Sequence, residues 1–307
     1  MELYTQRHGM RKPIEKTYDI SIEVYTLLFK CCDKYKVNLA AKFPLECADG
    51  YGCCGIDEHA LDIDLKYAIP GLFRTEDGSI SVPCVHHNLF GDADMTDEYD
   101  QYALFDYIEY FANNIRDIVK RDFHSYFGHH HLTLQTSTNI VFSFVQEINE
   151  IFDKTHVLYH LSNDLIIERI VEDTPLTPEI EKNIGNIKEK GLRDLLQEAI
   201  LLYKQPAPHA RRDAVEKIWD AFERLKTYYT TMDKKTSAAT IVNDMANRDQ
   251  TYIALFDAEF KALTAIGNDF RIRHHETSKT DITDSRHYDY FFNRCLSLIA
   301  LAIQYLK

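Results

Sequence analysis

Nine residues near the end of the chain, Asn268-Asp269-Phe270-Arg271-Ile272-Arg273-His274-His275-Glu276, gather two guanidiniums, two imidazoles, an amide and two carboxylates. Arginine offers a fixed fork of donors that fits a phosphate, and histidine exchanges a proton near neutral pH. Those are the groups that acid–base chemistry on a phosphodiester needs. The stretch follows Tyr252, Leu255, Phe256, Phe260, Leu263 and Ile266, whose spacing of three and four predicts an amphipathic helix over about 250–275. On a helix continuing through the stretch, Asn268, Arg271 and His275 share one face and Arg273 points elsewhere. A plainer account stands beside this one, because helix ends collect Arg and His at the negative end of the dipole.

Other charged groups fall on a helix predicted over 209–229, with Val215, Ile218, Trp219, Phe222 and Leu225 turned inward. Lys217, Asp220, Glu223 and Arg224 form its charged side and can face the Asn268–Glu276 edge. An ordinary pair between Asp220 and Arg224, four residues apart, explains them equally. Lys234-Lys235 and Arg211-Arg212 are further local positive spots suited to a backbone phosphate, or to solvent.

Two clusters carry metal-ligand residue types. Phe127-Gly128-His129-His130-His131, joined by His124, reads as a loop. Adjacent histidines in an extended loop point to alternate sides, so at most two can share a metal. A hydrogen-bonding role is expected there. Cys47, Cys53, Cys54, Cys84, His86 and His87 contain no Cys-x-x-Cys pair, and adjacent Cys53-Cys54 chelate poorly. No metal and no cofactor is therefore expected. A phosphate-binding glycine loop, a dinucleotide fingerprint and a Gly-x-Ser-x-Gly elbow are all missing from the sequence.

The chain has 307 residues and a net charge of −13. Such a surface repels nucleic acid at long range, so any such contact must be a local basic site. It also disfavours anionic membranes. No apolar run reaches the roughly 18 residues of a membrane span, and the first residues lack a signal-peptide layout. Seven cysteines without a secretion signal suggest reduced thiols, so a cytoplasmic protein is expected.

Periodicity predicts a mainly α chain. Helices are expected over 21–36, 57–67, 99–120 and 138–153, with 43–56 loop-like and a long loop over 78–96. A β-hairpin is expected over 156–171. After a boundary near Thr174-Pro175, helices beginning at Pro178 and spanning 190–204, 209–229, 237–246 and 250–275, with a last one from Tyr288, make an antiparallel bundle.

Four C-terminal segments carry a resemblance: Arg212–Thr227, Lys234–Ser237, Ile266–Thr277 and Tyr288–Phe292. With Tyr4–Gly9 and Phe127–Leu132 they resemble a bacterial family that joins an abortive-infection AbiJ-type N-terminal domain to a helical domain similar to the HEPN superfamily. The resemblance implies an AbiJ-type domain over 1–173 and a HEPN-like bundle over 174–307. It implies phage defence, a homodimer formed through the C-terminal bundle, and metal-independent cleavage of RNA such as tRNA or mRNA. Arg271 or Arg273 would hold the phosphate, His275 or His274 would act as acid or base, and Asn268 would orient it. Lys217, Arg224, Lys234 and Lys235 would line the substrate path, supported by Asp220, Glu223 and Glu276. The sequence departs from the HEPN motif: three residues separate Arg271 from His275, Ile272 stands where a polar residue is expected, and Gly267-Asn268 stands where Arg-Asn would sit if Asn268 were aligned. The alternative implied is a non-catalytic sensor or scaffold that binds RNA, a nucleotide or a protein through the same surface.

Overall fold

The computed structural model describes residues 4–10, 14–86, 95–172, 174–272 and 279–306. The chain is mostly helical, with small antiparallel sheets, and divides into two compact units, Met1–Ile170 and Val171–Lys307.

The first unit begins with α1 (Tyr4–Arg7), α2 (Ile22–Lys34) and a 3-10 turn over Lys36–Ala41. Ser21 caps α2 by accepting from the Val24 N–H, satisfying a donor that a helix start leaves unpaired. The expected loop over 43–56 instead holds two strands, β1 (Pro44–Glu46) and β2 (Cys53–Ile56). They are too short to show alternation and exist because β2 finds a partner far along the chain. Next come α3 (Glu58–Ala68), the two-residue strands β3 (Val85–His86) and β4 (Met95–Thr96), and α4 (Gln101–Asn114).

The helix expected over 99–120 therefore ends early. Asn38, itself buried, donates its amide to Arg116 O and accepts Arg116 N–H on its backbone carbonyl, both at 2.9 Å. Those bonds replace the helical ones, and the chain continues as β5 (Ile118–His124) and β6 (His129–Leu134). The expected His-rich loop is thus a strand. The four strands order as β1-β2-β6-β5, all antiparallel, with His124 opposite His129 and Phe123 opposite His130. The unit closes with α5 (Asn139–Thr155) and the hairpin β7 (Tyr159–Leu161) and β8 (Ile167–Arg169). Its core is aromatic: Tyr25, Phe111, Phe144 and Phe152 are fully buried with Leu28 and Leu104.

The second unit is helical: α6 (Pro178–Gly185), α7 (Lys190–Lys204), α8 (Ala210–Leu225), α9 (Lys234–Met245), α10 (Gln250–Asp269) and α11 (Ser285–Ala302). Acidic caps start most of them, with Glu189, Asp233, Asp249 and Asp284 accepting first-turn N–H groups of α7, α9, α10 and α11. The core gathers round Trp219, Phe222, Leu263 and Phe292, and Tyr203 stacks on Phe292 with ring centres 3.7 Å apart.

One difference from expectation bears on function. α10 stops at Asp269, so Arg271 does not continue the helix face of Asn268. Phe270 turns extended (φ −99°, ψ 153°) and bridges to Thr280, and its ring packs 5.1 Å from that of Phe291. Ile272 is buried beside it in the same core. Covering two apolar side chains draws the backbone off the helix axis, which outweighs the few helical bonds given up.

Candidate functional site

Two groups of side chains on separate units carry chemistry. In the C-terminal unit, α9, α10 and the end of α8 enclose an open cleft of about 630 Å³. Its floor is Ala238, Ala239, Val242 and Phe260, and its polar lining is Lys226, Lys235, Lys261, Thr264, Asp257 and Asn268. Asn268 is exposed in the last turn of α10. Arg271, three residues on, is half-buried, takes its backbone N–H to Thr280 O, and places Nη1 2.7 Å from Asp281 Oδ1. Arg273, His274, His275 and Glu276 lie outside the described residues.

Glu223 organises the wall of the cleft. It accepts from Lys226 Nζ and, at 2.6 Å, from Lys234 Nζ. Burial pushes its carboxyl up, but the two lysines outweigh that and hold it below its ordinary value. Lys226 is buried, bonds Thr264 Oγ1 at 3.0 Å across to α10, and sits over the Phe222 ring. Lys261 pairs with Asp257 one turn earlier. Lys235 has no acidic group within ion-pair distance among the described residues, which leaves its charge directed to the cleft.

The remaining sequence candidates serve the bundle. Lys217 pairs with Glu198 at 2.9 Å, and that bond raises its pKa. Arg224 grips Glu189 with Nη2 and Nε at 2.8 and 3.2 Å, while Glu189 also caps α7 through Gly191 and Leu192 N–H. Asp220 is half-buried on α8. The cleft thus unites Asn268 and Lys235; Glu223 reaches it only through Lys226, and Lys234, Lys217 and Arg224 do not line it. Lys226 and Lys261 were missed in the sequence because single lysines on a helix read as solvated surface.

In the N-terminal unit the histidines converge. His124, His129 and His131 have ring centres 5.3 to 5.7 Å apart, and Cys47, just past β1, joins them. Cys47 Sγ lies 3.3 Å from His129 Nε2 and 3.7 Å from His124 Nδ1. Asp49 Oδ2 lies 3.0 Å from His124 Nδ1 and 3.6 Å from His131 Nε2. Its carboxyl is held below its ordinary value, first by Cys47 and the Tyr51 N–H and then by the neighbouring imidazoles. The alternation expected of the His run holds: His130 faces away, contacting Arg121 O through Nδ1. What adjacency could not reveal is that the hairpin returns His124 and the β1–β2 turn delivers Cys47. The other cysteine set does not assemble among the described residues. Cys53 bonds Gly55 O, and His86 pairs with Asp97, while His87 lies outside them.

Residues 2–186 match the family AbiJ N-terminal domain 4. The chain belongs to that family. The match runs through the whole first unit and on across α6, so an AbiJ-type domain carries the histidine cluster, and it indicates an abortive-infection defence role. No curated protein matches the chain, and no solved structure does. Among the described residues, no helix of this AbiJ-domain protein is long and apolar enough to cross a membrane.

Proposed function

We propose that this protein is an abortive-infection effector whose C-terminal unit is HEPN-like and cleaves RNA without a metal in the reaction. The observation that carries the reading is the cleft itself: Asn268 shares an open, lysine-lined hollow with Lys235 and Lys261, and the Arg271–His275 stretch begins three residues beyond it. In an acidic molecule, such a local concentration of cations is where a sugar–phosphate backbone can bind. Arg271 or Arg273 would stabilise the charge developing on the phosphate. His275 or His274 would move the proton of an attacking 2′-hydroxyl, leaving cyclic-phosphate ends. The protein would act as a homodimer through its C-terminal bundle, for which the exposed Tyr252 and Leu255 of α10 supply an apolar face.

The test is RNA incubated with purified protein in EDTA, with end-group analysis of the products. Cyclic-phosphate ends that vanish with His275→Ala support the reading. Intact RNA, or equal cutting by His275→Ala and wild type, overturns cleavage. Leu255→Asp should shift the mass in solution from dimer to monomer.

A second reading is favoured by a specific observation. α10 ends at Asp269, and Arg271, off that helix, pairs with Asp281. This arrangement suits recognition of RNA or a nucleotide without cleavage. Binding that survives His275→Ala but is lost in Arg271→Ala and Arg273→Ala selects that reading.

A further inference from the structure

We infer that Cys47, His124, His129 and His131 form a binding site for one zinc-class divalent cation in the AbiJ-type unit. One thiol and three imidazoles form a donor set that suits a borderline-soft metal, and a four-ligand protein shell is the pattern of a structural site. Their ligand atoms all lie within 4.8 Å of one another. Tetrahedral coordination with bonds of about 2.0 to 2.3 Å places donors roughly 3.3 to 3.8 Å apart. The Cys47–His129 and Cys47–His124 separations, 3.3 and 3.7 Å, are already of that size.

Hydrogen bonding alone leaves this cluster incomplete. His131 Nε2 is buried and has no hydrogen-bond partner, a condition that costs on the order of 1–3 kcal/mol. A cation at the centre gives that nitrogen a ligand's role. Charge agrees as well, since a Cys47 thiolate and the Asp49 carboxylate together offset a divalent ion. Asp49 Oδ2 lies beside the same ring nitrogens, His124 Nδ1 and His131 Nε2, and so can itself take a coordination position.

The backbone is shaped to bring these groups together. Gly128 closes the β5–β6 turn at φ +69°, donating its N–H to His124 O, so His124 and His129 face each other. Gly52, at φ +123°, accepts the Cys47 N–H on its carbonyl and folds the β1–β2 turn against the hairpin. Both φ values disfavour any residue but glycine. His129 and His131 then fall two apart on one face of β6. A bound ion would tie two turns that are 70 residues or more apart in sequence, which is how a structural metal adds to folding stability. The inference concerns the N-terminal unit and stands independently of the proposed RNA chemistry.

The experiment measures metal in the full-length protein, as purified and after stripping and reloading with zinc or cobalt chloride. Expected is about one ion per chain, a thiolate-to-cobalt charge-transfer band, and a higher melting temperature with metal. His131→Ala and Cys47→Ser should lose most of the ion, and Cys47→Ser the charge-transfer band. His130→Ala, on the opposite face of the same strand, and Cys84→Ala should retain it. Wild-type protein that takes up neither metal, a cobalt form without thiolate charge transfer, or equal loss from His130→Ala would overturn the site. If Cys47→Ser does not fold, the wild-type cobalt spectrum and the His130–His131 comparison still decide.

Discussion

The indole of Trp219 occupies the space that any side chain on Gly267 would need. A Cβ added at Gly267 falls 2.6 Å from the indole Nε1 and 2.7 Å from Cδ1. The same Nε1 donates to Leu263 O at 3.1 Å, so α8 and α10 meet ring against backbone where the candidate cleft begins. Gly267→Ala must displace a fully buried ring and strain that bond. The expected cost is about 1–3 kcal/mol, a melting temperature lower by several degrees. Trp219 is the chain's single tryptophan, so its fluorescence reports the shift directly. A variant that melts with wild type and has an unchanged emission spectrum would show that α10 does not approach α8 this closely.

Glu189 ties the start of α7 to α8, and its stability contribution depends on pH. The Arg224 hydrogen bond, joined by two backbone N–H groups, lowers the Glu189 carboxyl from 4.5 to about 2. A carboxylate lowered in the folded state contributes stability that is present above pH 4.5 and is lost as pH falls towards 2. Half of the Arg224 side chain is open to solvent, so screening limits the effect to about 1 kcal/mol. Glu189→Gln should therefore be less stable to urea at pH 7, and the difference should narrow below pH 4.5. A gap that stays constant down to pH 3 would show that the ionised form of Glu189 is not what stabilises the folded state.

The chain's helices were legible where apolar spacing was long and capped. α7 falls where 190–204 predicted it, and α10 starts at 250 as expected. α9 and α11 start at Lys234 and Ser285, ahead of the expected 237 and 288, because Asp233 and Asp284 cap them. The misread parts depend on partners distant in sequence. β2 exists through Leu132, α4 ends through Asn38, and α10 leaves its axis because Phe270 and Ile272 have a core to enter. The Asn268–Arg271 segment was therefore legible as chemistry but not as geometry. In the histidine run, period-two alternation correctly separated His130 from its neighbours. His124 was already grouped with the run, but Cys47 entered only through strand order, which residue spacing does not encode.

Lys235 and Lys261 both line the cleft, but Asp257 holds Lys261 at 2.6 Å. If RNA lies there, Lys235→Ala should weaken binding more than Lys261→Ala. Each phosphate contact removed should reduce the steepness of log K against log salt by about 0.7 for a single strand. Titration of a short single-stranded RNA at several salt concentrations measures both quantities. Equal affinities and an unchanged slope in the double variant would place the RNA elsewhere.

Arg271 and Asp281 test whether the guanidinium is engaged for structure or held ready for substrate. Asp281 lies 2.7 Å from Nη1, and more than half of its side chain is exposed. An exposed pair of this kind is worth about 0–1 kcal/mol. If RNA competes with Asp281 for Arg271, Asp281→Asn removes that competition and tightens binding by up to about five-fold. Melting temperature should change little, because Arg271 keeps its backbone bond to Thr280. Glu168→Gln, on β8 of the other unit, makes the same charge change and serves as the control for net charge. RNA affinity that rises in Asp281→Asn alone, and falls in Arg271→Ala, places the arginine on the phosphate. Affinity unchanged in both, with a marked loss of stability in Arg271→Ala, would make Arg271 a fastening of the chain after α10 and would remove it from the proposed site.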